Sequence, residues 1–120
     1  EFICKNVFVK INNVENIYFK NIKKNTLELH IAHNEGNYFC SNSQMKEIQD
    51  NDQIALFYCG ENGEIDEKFN PNGSSKNIAG ILNKEKNILG MMPHPERMID
   101  KYLSGDDGII FFETLLNNLK

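Results

Sequence analysis

Asn87-Ile88-Leu89-Gly90-Met91-Met92-Pro93-His94-Pro95-Glu96-Arg97 carries an apolar run into a histidine and a glutamate two residues apart, each preceded by a proline. The apolar run suits a buried strand, and the prolines end it. Proline holds φ near about −65° and has no N–H to donate, and it drives the residue before it towards extended geometry. The expected product is a stiff extended loop at the C-terminal end of a strand, where open α/β sheets place their ligand sites. In an extended segment residues i and i+2 point the same way, so His94 and Glu96 share a face. A carboxylate that orients an imidazole is half of a nucleophile–base–orienter triad. On spacing alone the plainer reading, a surface loop with an ordinary histidine and glutamate, has the stronger claim, because isolated His-x-Glu pairs are common.

The rest of the composition narrows the classes. A chain of 120 residues with 40% apolar and 25% charged residues has the make-up of one soluble globular domain with a modest core. A formal charge of −4, with acids and bases interspersed, leaves no basic stripe for nucleic acid. No run of about 18 apolar residues exists to span a membrane, and no basic leader with a small-residue cleavage site is read. Cys4, Cys40 and Cys59 are too few and too scattered for a disulfide framework or a zinc site. Reduced, buried thiols in a cytoplasmic protein are expected. The opening Glu1-Phe2-Ile3-Cys4 runs straight into strand-like sequence and reads as a cut through a longer protein.

Working outward, residues 78–82 and 88–92 are two short apolar runs joined by Asn83-Lys84-Glu85-Lys86-Asn87, a hairpin by spacing. Residues 53–59 (QIALFYC) predict a strand, as do 2–11, where Val7, Val9 and Ile11 alternate with Phe8 and Lys10. Residues 26–32 alternate Leu27, Leu29 and Ile31 against Glu28 and His30, a strand with one wet face. Residues 14–22 fit either a short helix or an irregular crossover. Ser43 is the expected N-cap of a short helix containing Gln44, Met45 and Ile48. Asp106 or Ser104 should cap a last helix whose buried stripe is Ile109, Phe112, Leu116 and Leu119, broadened by Ile110 and Phe111. No repeat, linker or low-complexity segment interrupts the chain.

The remaining candidate residues lie in loops. His33 follows a strand and opens a polar loop, His33-Asn34-Glu35-Gly36, a common place to meet a ligand; an ordinary turn histidine is an equal alternative. Asn72-Gly73-Ser74 offers backbone N–H groups to an anion, although a plain turn is the stronger reading. Arg97 is placed to pair with a carboxylate or simply to be solvated. No HxxE, HExxH or CxxC pattern completes a metal site. None of the three cysteines sits in the G-x-S-x-G type of sharp strand-to-helix elbow that presents a nucleophile. Base and orienter are present and the nucleophile is not.

Four ordered stretches point further: residues 32–40 (AHNEGNYFC), 70–74 (NPNGS), 78–81 (IAGI) and 89–97 (LGMMPHPER). Together they resemble the glutaminase subunits of phosphoribosylformylglycinamidine synthase, members of the class I (triad) glutamine amidotransferases, over nearly the whole chain. The resemblance implies an α/β fold, the C-terminal part of an open, mostly parallel, flavodoxin-like sheet with helices on both faces. Residues 1–120 would form the C-terminal portion of one domain. It also implies that His94 is the general base and Glu96 its orienter, and that His33, Asn34, Glu35 and Gly36 meet the glutamine. Asn72, Gly73, Ser74 and Arg97 would face other subunits. No metal or cofactor is implied in this chain; ATP and Mg²⁺ belong to the large synthetase subunit, which partners it together with a small accessory subunit. Two departures stand out. The family's Gly-x-Cys-Asn-Gly-Phe-Gln elbow is not here, so a missing N-terminal half is a further expected partner and the chain is expected to be inactive alone. Asn34 also replaces the usual Gly, a change that a residue tolerant of left-handed φ can absorb. Alternatives are a non-catalytic docking module of the synthetase complex, or an amidotransferase serving GMP, CTP or carbamoyl phosphate synthesis.

Overall fold

The computed structural model describes residues 3–33, 41–71, 74–91 and 107–119. Five strands, β1 (Ile3–Ile11), β2 (Thr26–His33), β3 (Ile54–Cys59), β4 (Ile78–Leu82) and β5 (Leu89–Met91), form one sheet in the order β2-β1-β3-β4-β5. Two helices accompany them, α1 (Asn42–Asp50) and α2 (Asp107–Leu119). The α/β class stands, and so does the expected hairpin, with Gly80 opposite Met91 and Leu82 opposite Leu89. The direction of the strands differs from what the resemblance implied. Every neighbouring pair among the described strands is antiparallel. The connections explain this, because parallel neighbours need a long crossover, usually helical. β4 and β5 are joined by a tight turn, and the described residues between β3 and β4 hold two single 3₁₀ turns, Glu67–Phe69 and Ser75–Asn77. Among the described residues the connection through helix α1 joins β2 to β3; those two strands do run in the same direction, with β1 between them.

Both faces of the sheet are packed. On one, Val7, Val9, Ile11, Leu27, Leu29, Tyr58 and Leu82 gather with Phe19 and with Phe111 of α2. On the other, Met45 and Ile48 of α1 rest on Ile54 and Ile78, flanked by Phe57 and Ile81. That double burial is why β3 reads as a continuous apolar run rather than an alternating one. Register shifts between Ile54, Leu56 and Phe57 let the adjacent Ala55 and Leu56 join one cluster.

Residues 14–22 are the irregular crossover, not a helix. Asn16 folds them into turns, its side-chain oxygen accepting from the N–H groups of Tyr18 (3.0 Å) and Phe19 (3.1 Å). Such local side-chain bonds compete with a helix, and they deliver Phe19 fully buried to the core. The cap of α1 is Ser41, two residues before the expected Ser43. Its hydroxyl accepts from the N–H of Gln44, whose side chain accepts from the N–H of Ser41 in return. The buried face of α2 is also rotated from expectation. Asp107, Phe111 and Thr114 are buried, whereas Leu116 and Leu119 are each 61% exposed. Thr114 can lie inward because its hydroxyl donates to the carbonyl of Ile110 at 2.8 Å. Ser104 and Asp106 lie outside the described residues.

Candidate functional site

The strand leading to the Pro-His-Pro-Glu stretch is aimed by a stiff hairpin. Asn83 uses its side-chain oxygen to accept from the N–H groups of Asn87 (2.9 Å) and Ile88 (3.0 Å), and its own N–H donates to the carbonyl of Ile88 (3.1 Å). Lys86 takes the left-handed conformation that closes the turn, at φ 62°. The hydroxyl of Tyr18 donates to the carbonyl of Asn87 at 2.9 Å, tying the hairpin to the 14–22 crossover. β5 ends at Met91, three residues before His94. His94, Glu96 and Arg97 lie outside the described residues.

His33 is the last residue of β2, paired with Ile3 at the opposite edge of the sheet from β5. The C-terminal ends of β2, β3 and β5 point the same way, but they are staggered. Met91 aligns through Gly80 and Leu56 with Ile11, while His33 aligns with Ile3, eight residues away on β1. Eight residues of strand are about 27 Å. The described backbone therefore does not bring His33 beside the end of β5. Asn34, Glu35 and Gly36 lie outside the described residues.

Ser74 is buried, and two asparagines hold the loop around it. The side chain of Asn70 donates to the carbonyl of Ser74 (2.7 Å) and accepts from its N–H (3.1 Å). Asn77, left-handed at φ 62°, donates from its side chain to the carbonyl of Asp66 (2.7 Å). Asn72 and Gly73 lie outside the described residues. Asn70 and Asn77 were not singled out by sequence, although Asn-Pro and Asn-Ile flank the turn in plain view. Gly60 completes the end of β3: a Cβ there would come within 2.6 Å of the Phe69 ring, so only glycine lets Phe69 close over that end.

Of the cysteines, Cys59 has a described side chain. It is a buried free thiol whose pKa is pushed up to about 11, chiefly by burial; Glu64 adds to the rise and Lys10 opposes it. A nucleophile needs the opposite environment, one that stabilises thiolate. Cys59 is a core residue. Among the described residues no group of three His, Cys, Asp or Glu side chains could hold a metal ion, and no helix is long and apolar enough to cross a membrane.

Comparisons with known proteins agree with this architecture. The chain is 72% identical over 120 residues to the phosphoribosylformylglycinamidine synthase subunit PurQ of Pelagibacter ubique, covering 100% of this chain and 53% of that protein. It is 40% identical over 118 residues to the subunit of the same name from Aquifex aeolicus, covering 98% of this chain and 52% of the relative. The chain thus spans about half the length of the curated relatives it matches. A structure of PurLQS from Thermotoga maritima superposes with a TM-score of 0.75 at 32% identity, over 100% of this chain and 49% of its counterpart. Residues 1–105 match the model of the CobB/CobQ-like glutamine amidotransferase domain. A match over that span, on a sheet whose last strand feeds the His-Glu stretch, makes this chain a member of the CobB/CobQ-like glutamine amidotransferase domain family.

Proposed function

We propose that this chain is the base-and-orienter half of a glutaminase that supplies ammonia to phosphoribosylformylglycinamidine synthase. The observation that carries the reading is 72% identity, end to end, to a protein named as a subunit of that enzyme. A cysteine thiolate, supplied by the part of the domain that this chain does not span, attacks the side-chain amide carbon of glutamine. His94 takes the thiol proton and returns it to the departing nitrogen, so the C–N bond breaks and ammonia leaves. Water, relieved of its proton by the same imidazole, then splits the thioester and releases glutamate. Glu96 holds the imidazole in the tautomer that both steps need. Asn34, Glu35 and Gly36 contact the glutamine, and His33, at the end of β2, anchors the segment that carries them. Asn72, Gly73 and Arg97 face the large synthetase subunit, which carries ATP and Mg²⁺, and a small accessory subunit. The complex works in the cytoplasm. As the C-terminal portion of one domain, the chain alone does not hydrolyse glutamine, because acyl transfer also needs the thiolate and the oxyanion donors.

The test is ammonia release from glutamine. The purified chain should release none. Co-expressed with the half of the Pelagibacter ubique relative that it does not match, it should release ammonia, and His94→Ala should cut kcat by about 10³-fold or more. Release by the chain alone would overturn the half-site reading, and release that survives His94→Ala would overturn the base assignment.

A further inference from the structure

Beside the β4–β5 hairpin lies an open hollow of about 580 Å³, lined by residues of β4 together with Gln53, Ile88, Gly90 and Met91. Three observations show that this surface is built to be covered. Ile88 is 64% exposed, an apolar side chain that water disfavours. A Cβ added at Gly90 would meet no described atom within 4 Å, so the strand has open space beside it. Among the described residues β5 has no strand on its outer side.

We propose that this hollow and the outer side of β5 form the seat of the half of the amidotransferase domain that the chain does not span. The inference rests on the functional reading above and adds to it the surface where the two halves meet. The occupant is indicated by length: the relatives carry about as much sequence again, with matched shares of 53% and 52%, and the solved counterpart 49%. It is indicated by position as well. β5 runs directly into the segment bearing His94, so a half seated against β5 lies next to the base it must serve. The next most exposed apolar pair, Leu116 and Leu119, sits on α2, which packs against the opposite edge strand and is not part of this surface.

The experiment co-expresses this chain with the tagged unmatched half of the Pelagibacter ubique relative and measures co-purification and mass. A 1:1 complex is expected, with Ile88→Glu reducing its recovery at least tenfold and Leu119→Glu leaving it intact. A complex indifferent to Ile88→Glu would overturn the proposal, as would a homodimer of this chain that persists in excess of the added half. If the separated half does not fold, the full-length relative decides. A cysteine at the position aligned with Ile88 should react with iodoacetamide at least tenfold more slowly there than Ile88→Cys does in this chain, with peptide mass spectrometry locating the label; equal rates would overturn the proposal. These readouts involve no chemistry on glutamine. A hollow-dependent complex that releases no ammonia would refute the glutaminase reading alone, and ammonia release indifferent to Ile88→Glu would refute the docking surface alone.

Discussion

Asp107 opens α2 as a buried acid with both oxygens engaged. One accepts from the Lys24 ammonium at 2.7 Å and the other from the backbone N–H of Glu28 at 2.7 Å, with the carboxylate also favourably placed in the first turn of a helix. The two partners are not equal. Lys24 remains 48% exposed while Asp107 is 9% exposed, so the ion pair is screened on one side and the backbone bond is not. Asp107→Ala should therefore lower unfolding free energy by about 1–3 kcal/mol, because it strands a donor, whereas Lys24→Ala should cost under about 1 kcal/mol. Urea unfolding of the two variants checks the order, and equal losses would mean that the ion pair dominates. Cys59 offers a pH-dependent test. Its pKa is raised from 9.0 to about 11, so folding keeps a proton that the unfolded chain gives up. Stability from this group is full below pH 9 and is lost as pH rises through 11. Between pH 8 and 10.5 the urea midpoint should fall more steeply for the native chain than for Cys59→Ala; parallel curves would refute the raised pKa.

Among the elements, α1 depends on its start. Nine residues make too few turns to hold a helix by propensity alone, so the Ser41–Gln44 capping box and the burial of Met45 and Ile48 hold it. Ser41→Ala should cost about 1 kcal/mol, and Ser43→Ala, which removes only an exposed hydroxyl 3.2 Å from that of Ser41, less than about 0.5 kcal/mol. Thermal melts of both variants separate the two serines, and a larger loss at Ser43 would restore it as the cap. The same contrast explains what was legible in the chain. Strands announced themselves through period-2 alternation at Val7, Val9 and Ile11 and through turn residues at Asn83–Asn87, because both signals are local. The buried face of α2 was misread because Asp107 and Thr114, both polar, are rescued by particular partners that no period reveals. Strand direction was also hidden, since it depends on which connections hold a helix rather than on any residue in the strands. The reading of His94 and Glu96 as a pair rests on its companion motifs and lies outside the described residues, and the asparagines that hold the neighbouring loops were passed over because Asn in a turn is ordinary.

At the scale of the molecule, the sheet has two edges that are treated differently. The β2 edge is guarded: α2 lies against it and Asp107 occupies the N–H of Glu28, a common way to keep an edge from pairing with another chain. The β5 edge is three residues long and, among the described residues, carries no such guard. Stability should follow this asymmetry, because amides exchange through openings whose cost grows with the packing around them. In native-state hydrogen exchange of the isolated chain, the amides of β1 and β3, each flanked by strands on both sides, should be the most protected. Those of Leu89 to Met91 should exchange at least about 10²-fold faster. The Glu28 amide should be slow for an edge position and should lose that protection in Asp107→Ala, while β3 changes only by the global loss of stability. If β5 in the isolated chain were as protected as β3, its outer side would already be covered in the monomer, and the sheet would have no unguarded edge left to receive the rest of the domain.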